Sequence, residues 1–320
     1  MSAVTVRQQF ADTMHAVGRS DPSLVVLVGD ISHSILQPFA KACSGRYFNV
    51  GICEPTMMSM AAGMSKLGFC PVIHTIAPFL IERAFEQIKL DFCYHQLGGN
   101  IITVGSAFDY ANLGCTHHCY GDFALLKTLP DVQLTYPGSA DEFDQLFRQS
   151  YANNQVTYFR LPGRGHGQHF RQEQIELGKG IRVCTGSNLT LIATGPQLRN
   201  TLEARESLQE EGWHADVLYF HTWRPLDEEL IRTSVRKTGR VLVIEEHMRS
   251  GGLSDEVLRV LAGKEKLEFS SLAIPDQYVT GYGSYDDQCQ RLGLTSEGIC
   301  ERVLTQFGSK QILEGKRKLA

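Results

Sequence analysis

The chain has 320 residues, 42% hydrophobic and 21% charged, with a formal net charge of −4 at pH 7. This is the balance of a soluble globular protein of about two domains with ample material for a core. It excludes a strongly basic nucleic-acid binder, and no apolar run approaches the roughly 18 residues a membrane-spanning helix needs.

In chain order, residues 1–22 read as an amphipathic helix rather than a signal peptide, because no unbroken apolar stretch follows the start. Apolar runs at 24–30 and 47–52 read as buried strands, and 55–67 as a Met- and Ala-rich helix. A strand is expected at 70–76, a helix over 80–95, and further strands at 100–106, 132–138 and 156–162. The segment 163–180 is Gly-rich and charged, with no apolar period, and reads as a linker. The rhythm then resumes, with strands at 188–195, 215–223 and 240–247 and helices over 198–212, 227–239 and 251–263. Short strands alternating with helices predict an α/β protein of two consecutive doubly wound domains with mainly parallel sheets. The expected division is 1–165, a linker at 166–180, and 181–320. The C-terminal "GKRK" at 315–318 reads as a solvated end. Nine cysteines form an odd set, and Cys43, Cys53, Cys70, Cys93, Cys184 and Cys300 read as small core residues of a reduced, cytoplasmic protein.

Several residues carry chemistry. Glu54 falls between a buried strand and Pro55, which suits the first position of a helix. A carboxylate there is either an acid favoured by the helix dipole or a functional group at the strand ends of an α/β sheet. The pair His117–His118 sits inside "CTHHC", 115–119, which suggests a metal cluster, yet no second ligand cluster accompanies it, so no metal site is expected. Arg160 and Arg164 are strand-end cations able either to pair with surface acids or to grip an anion.

The segment "RYFNVGICEPTMMSMAAGMSKLG", 46–68, is similar to the pyrimidine-domain signature of transketolases and deoxyxylulose-5-phosphate synthases. The resemblance implies thiamine diphosphate as cofactor, with Glu54 hydrogen-bonded to N1′ of its aminopyrimidine ring. A carboxyl that donates there favours the imino tautomer, which removes the thiazolium C2 proton. That role asks for a raised Glu54 pKa, with burial outweighing the helix dipole. The family has Gln or His where this chain has Pro55. "HTIAPFLIERAFEQIKLD", 74–91, resembles the passage whose aromatic residue packs on the ring, which implies Phe79 for stacking and Ile76 in the ring pocket. "GCTHH", 114–118, resembles the family's substrate-side histidine motif and implies His117 near the substrate carbonyl. Asp30 is expected near cofactor or partner.

For substrate, the resemblance implies Arg160, or Arg164, on a distal phosphate, sulfonate or carboxylate. Leu113 stands where transketolases carry a sugar-binding acid, and Ser106 where the synthases carry an Arg. "RPLD", "EEH…GGL" and "LGLTSEGICERVL" resemble transketolase C-terminal domains and 2-oxo acid dehydrogenase β subunits.

The Gly-Asp-Gly and Asn motif that holds the cofactor diphosphate through a divalent ion has no match, since Gly29–Asp30 and Gly121–Asp122 lack the third Gly. The resemblance therefore implies half of a split transketolase. Its partner would be a diphosphate-binding N-terminal subunit that carries the Mg2+ or Ca2+, in an α2β2 assembly with the active site between chains. The expected reaction moves a two-carbon ketol unit between sugars. The alternatives are a 2-oxo acid dehydrogenase β subunit, a deoxyxylulose-phosphate-synthase-like enzyme, and a structural subunit without catalysis.

Overall fold

A computed structural model describes residues 4–263 and 266–318, with side chains to Gly308. The basic run at 315–318 lies outside the described side chains. Twelve strands are assigned among the described residues: β1 Leu24–Val28, β2 Tyr47–Asn49, β3 Cys70–Ile76, β4 Gly99–Val104, β5 Gln133–Thr135, β6 Val156–Leu161, β7 Ile181–Cys184, β8 Leu189–Ala193, β9 Ala215–Tyr219, β10 Thr222–Arg224, β11 Arg240–Met248 and β12 Glu268–Ile274.

They form two sheets. The first has seven strands in the order β10-β5-β6-β4-β3-β1-β2, parallel except for β10. The second has five in the order β12-β11-β8-β9-β7, parallel except for β7. Both have the two-sided architecture that unbroken apolar strands require, since each face needs a cover. In β1, Leu24, Val26 and Val28 enter a core beneath the helices Val6–Ser20, His33–Ala42 and Ala140–Ser150. Val25 and Leu27 point the other way, into a second core.

That second core does not stop at the first sheet. It runs on through Ile192, Leu218, Phe220, Trp223 and Val243 of the C-terminal half. The Phe123 and Trp223 rings lie 4.2 Å apart across this junction. The Glu245–Glu246–His247 run at the end of β11 locks it further. Glu245 accepts from the N–H groups of Leu253 and Ser254, capping the helix Leu253–Leu261. Glu246 accepts from the Tyr136 hydroxyl, from Gln197 Nε2 and from the Tyr285 hydroxyl. His247 Nε2 accepts from the Ala124 N–H at 3.2 Å.

Four local expectations change. The expected strand over 215–223 is two. After Tyr219 the chain leaves the second sheet, the His221 carbonyl accepts from the Tyr136 N–H, and β10 pairs antiparallel with β5 of the first sheet. Strand β12 was not expected, because Ser270 and Ser271 dilute its apolar run. The helix expected over 80–95 is broken into Ala77–Ile81, Phe85–Gln87 and a π-helical turn, Ile88–Tyr94. Cys53 is exposed, not core: it precedes the helix Glu54–Lys66 on the open side of the strand ends.

Candidate functional site

The C-terminal ends of β1, β2, β3 and β4 lie on one edge of the first sheet, where open α/β sheets present their binding crevices. Glu54 follows β2 and opens its helix, with Pro55 beside it. Phe79 belongs to the short helix that follows β3, and Ile76 ends that strand. His117 arrives from the loop after β4.

Glu54 is buried, its side chain 2% exposed. Arg83 Nη1 donates to Glu54 Oε2 at 2.8 Å, and Arg83 Cζ lies 4.7 Å from the centre of the Phe79 ring. Glu54 and Phe79 are therefore close enough for one planar guanidinium to touch both. A buried carboxyl beside an aromatic face offers a hydrogen-bond partner and a stacking surface, so the residues present suit an aminopyrimidine in their chemistry. The half-buried His117 ring meets Phe79 at 5.1 Å in an edge arrangement, and the Tyr110 ring stands 6.2 Å further along. Ile76 and Tyr110 both border Gly105, whose positive φ of 83° and lack of a Cβ let the Tyr110 ring approach.

Asp30 occupies the same edge with a left-handed φ of 54°. It meets Asn49 Nδ2 at 3.2 Å and His33 Nε2 at 3.0 Å, and these two partners lower its pKa.

Beyond Tyr110 a cleft of about 520 Å³ opens, lined by Arg7, Asp109, Asn112, Arg164 and Tyr285 among others. Arg164 lies over the Tyr285 ring and pairs with Asp286 at 2.6 Å, its side chain half exposed. Arg7 donates to Ser32 Oγ at 2.9 Å, and Ser32 meets the buried His74 Nε2 at 2.8 Å. Burial pushes His74 down to about 3, so it stays neutral and passively orients Ser32. Burial pushes Asp109 up to about 6, with donation from Gly163 and Ser106 opposing it. Ser106 points inward to Asp109 and Tyr136, whereas Leu113 is exposed.

Arg160 corrects the sequence reading. It is 0% exposed and cannot reach a substrate anion. Its Nη2 donates to the carbonyls of Cys119 and Glu246 at 2.6 and 3.1 Å, and its Nε lies 3.3 Å from Asp122 Oδ2. Burial opposes its charge, but Asp122, with Tyr136 and Tyr158, more than restores it. The apparent metal run also separates in space. Cys115 is exposed, Cys119 is buried, and His118 packs edge-on to Phe108. Among the described residues no group of His, Cys, Asp and Glu is arranged to hold a metal.

Three residues of this edge carried no role in the sequence reading. Arg83 had a signal, standing four residues beyond Phe79. Tyr110 and Arg7 had none, since the fold alone carries Arg7, 25 residues before Ser32, to the cleft.

Two doubly wound sheets in tandem, with a buried carboxyl and an aromatic face at the strand ends of the first, define a two-domain α/β protein. Residues 2–165 match the transketolase pyrimidine binding domain and residues 178–299 the transketolase C-terminal domain. The chain is 30% identical to one of the subunits of the apulose-4-phosphate transketolase of Phocaeicola vulgatus, covering 94% of this chain and 97% of that one. It is 30% identical to a 1-deoxy-D-xylulose-5-phosphate synthase of Heliobacterium modesticaldum, but spans 46% of that longer chain. A solved split gene transketolase, described as an inactive beta4 tetramer, superposes with a TM-score of 0.87 at 30% identity, over 96% of this chain and 99% of that one. The chain belongs to the transketolase family, which implies dependence on thiamine diphosphate.

Proposed function

We propose that this chain is the pyrimidine-binding and C-terminal half of a split transketolase that transfers a two-carbon ketol unit from an anionic ketose to an aldose. In this reading residues 1–165 form the pyrimidine-binding unit, and 166–180 join it to the C-terminal domain, 181–320. The observation that carries the reading is that buried Glu54 and the Phe79 ring stand close enough for one planar group to touch both. The likeness to one subunit of a transketolase, along almost the full length of that subunit, supports the split arrangement.

Thiamine diphosphate, when bound, supplies a carbon nucleophile that accepts the ketol unit. The rest falls to the protein. Glu54 donates a proton to the ring nitrogen that faces it, Phe79 and Ile76 hold the ring plane, and the low-dielectric wall strengthens that hydrogen bond. His117, against Phe79, donates to the substrate oxygen as negative charge develops on it. Arg164, with Arg7 across the same cleft, neutralises the distal anion of the sugar. Asp30 faces the partner or the cofactor from the neighbouring strand end. The divalent ion and the diphosphate belong to a partner chain with its own oxygen ligands, in an α2β2 assembly.

A native pull-down with mass spectrometry tests the reading. A stoichiometric partner bearing a Gly-Asp-Gly diphosphate motif is expected, and the reconstituted pair should turn over ketose donors. A homodimer with neither partner nor affinity for thiamine diphosphate would leave a structural subunit as the answer.

A further inference from the structure

The guanidinium of Arg83 makes two contacts at once, with a carboxylate oxygen of Glu54 at 2.8 Å and with the Phe79 ring at 4.7 Å. A ring that is hydrogen-bonded to Glu54 and stacked on Phe79 would make the same two contacts that the guanidinium makes. Both groups are flat and both pack on an aromatic face, but at Glu54 the guanidinium donates whereas the ring nitrogen accepts. They cannot share the space. The pairing is also lopsided in exposure, since the Glu54 side chain is 2% exposed and that of Arg83 is 48% exposed. The carboxyl is fixed, while the long arginine stem has solvent into which to swing. No other hydrogen bond of Arg83 holds it in place among the described residues.

We propose that Arg83 is an internal surrogate for the cofactor ring, a latch that occupies the pyrimidine cradle and must swing out before an aminopyrimidine enters. The inference rests on the reading of Glu54 and Phe79 as the ring-holding residues. While the latch is closed, Glu54 has a cation for a partner through Oε2. Opening frees the Glu54 carboxyl, which in its protonated form donates to the ring nitrogen in place of accepting from the guanidinium. The closed population lowers the apparent affinity for any aminopyrimidine by the fraction of chains that are open. A residue outside the chemistry thus sets how readily the site is loaded.

The test is calorimetric titration of the full chain with 4-amino-5-hydroxymethyl-2-methylpyrimidine, a probe that carries the ring and no diphosphate. The expected result is that R83M, which keeps an apolar stem and removes the fork, binds the probe about tenfold more tightly than the wild type. Methylguanidinium should compete with the probe in R83M, which a purely structural role of Arg83 would not produce. Thermal melting checks that R83M is folded. Affinity equal to or weaker than wild type, or no binding to folded R83M, overturns the latch. A second variant separates this from failure of the underlying reading. If E54Q in the R83M background abolishes binding, Glu54 holds the ring whatever Arg83 does. If that double variant binds the probe undiminished, the ring-holding role of Glu54 falls, and the latch falls with it.

Discussion

Arg160 Nη2 donates to the backbone carbonyl of Cys119 at 2.6 Å, two residues beyond His117. The same nitrogen donates to the carbonyl of Glu246 in β11 at 3.1 Å. One buried guanidinium thus ties the loop bearing His117 to the C-terminal half. A residue that the motif suggested for substrate contact is instead a brace for the segment beside the site.

Replacing Arg160 should therefore act on folding before catalysis. Arg160→Met leaves Asp122 buried without its cation, and loss of one partner of a buried pair costs about 3–5 kcal/mol. Urea unfolding of the isolated chain is the check. A loss below about 1 kcal/mol would match a surface ion pair and contradict the brace.

Glu54→Gln keeps shape and burial but removes the acid. Turnover of the reconstituted enzyme should fall by at least about a hundredfold, the usual scale for a lost proton-transfer group. The melting temperature of the chain should hold, because the amide oxygen can still accept from Arg83 in the same place. Turnover close to wild type would remove Glu54 from the mechanism.

Arg164→Ala should weaken binding of the sugar's anionic end while leaving the reacting centre intact. A single charge-assisted contact is worth about 1.5–3 kcal/mol, so KM for a phosphorylated donor should rise about ten- to a hundredfold with kcat little changed. A neutral donor should show no such rise. A fall in kcat with constant KM would place Arg164 at the chemistry instead.

Glu245 gives a pH signature. Burial pushes it up to about 7 from the ordinary 4.5, although the Ser254 and Leu253 donors oppose the shift. The folded state therefore holds this proton more tightly than the unfolded state. Its contribution is complete below about 4.5 and is lost as pH rises through about 7. Relative to Glu245→Gln, the wild type should lose stability on going from pH 4.5 to pH 7, by about 1.4 kcal/mol per pH unit across the window. Denaturant midpoints for both proteins at several pH values measure this. A constant difference would mean that Glu245 is ionised in the fold throughout.

Much of the architecture was legible in the sequence. Runs such as "LVVLVGD" and "CPVIHTI" can be satisfied only as strands covered on both faces, so they give a parallel α/β sheet and place Glu54 and Phe79 at its strand ends. Local composition determines that much, because strand period and helix starts are properties of neighbouring residues. The rest depends on contacts between residues far apart in sequence. Thr222–Arg224 joins the first sheet because its best edge partner lies more than eighty residues upstream, at Gln133–Thr135. Arg160 turns inward because Asp122, Cys119 and Glu246 converge on it, and no local pattern announces three such partners. Arg83 reaches both Glu54 and Phe79, and Arg7 reaches the cleft beside Arg164, only after the strands are laid side by side. The sequence by itself determined which segments bury their faces and which residues stand at their ends. The tertiary structure alone decided which charged groups meet there and which are sealed inside, because ion pairing and desolvation are set by distance in space.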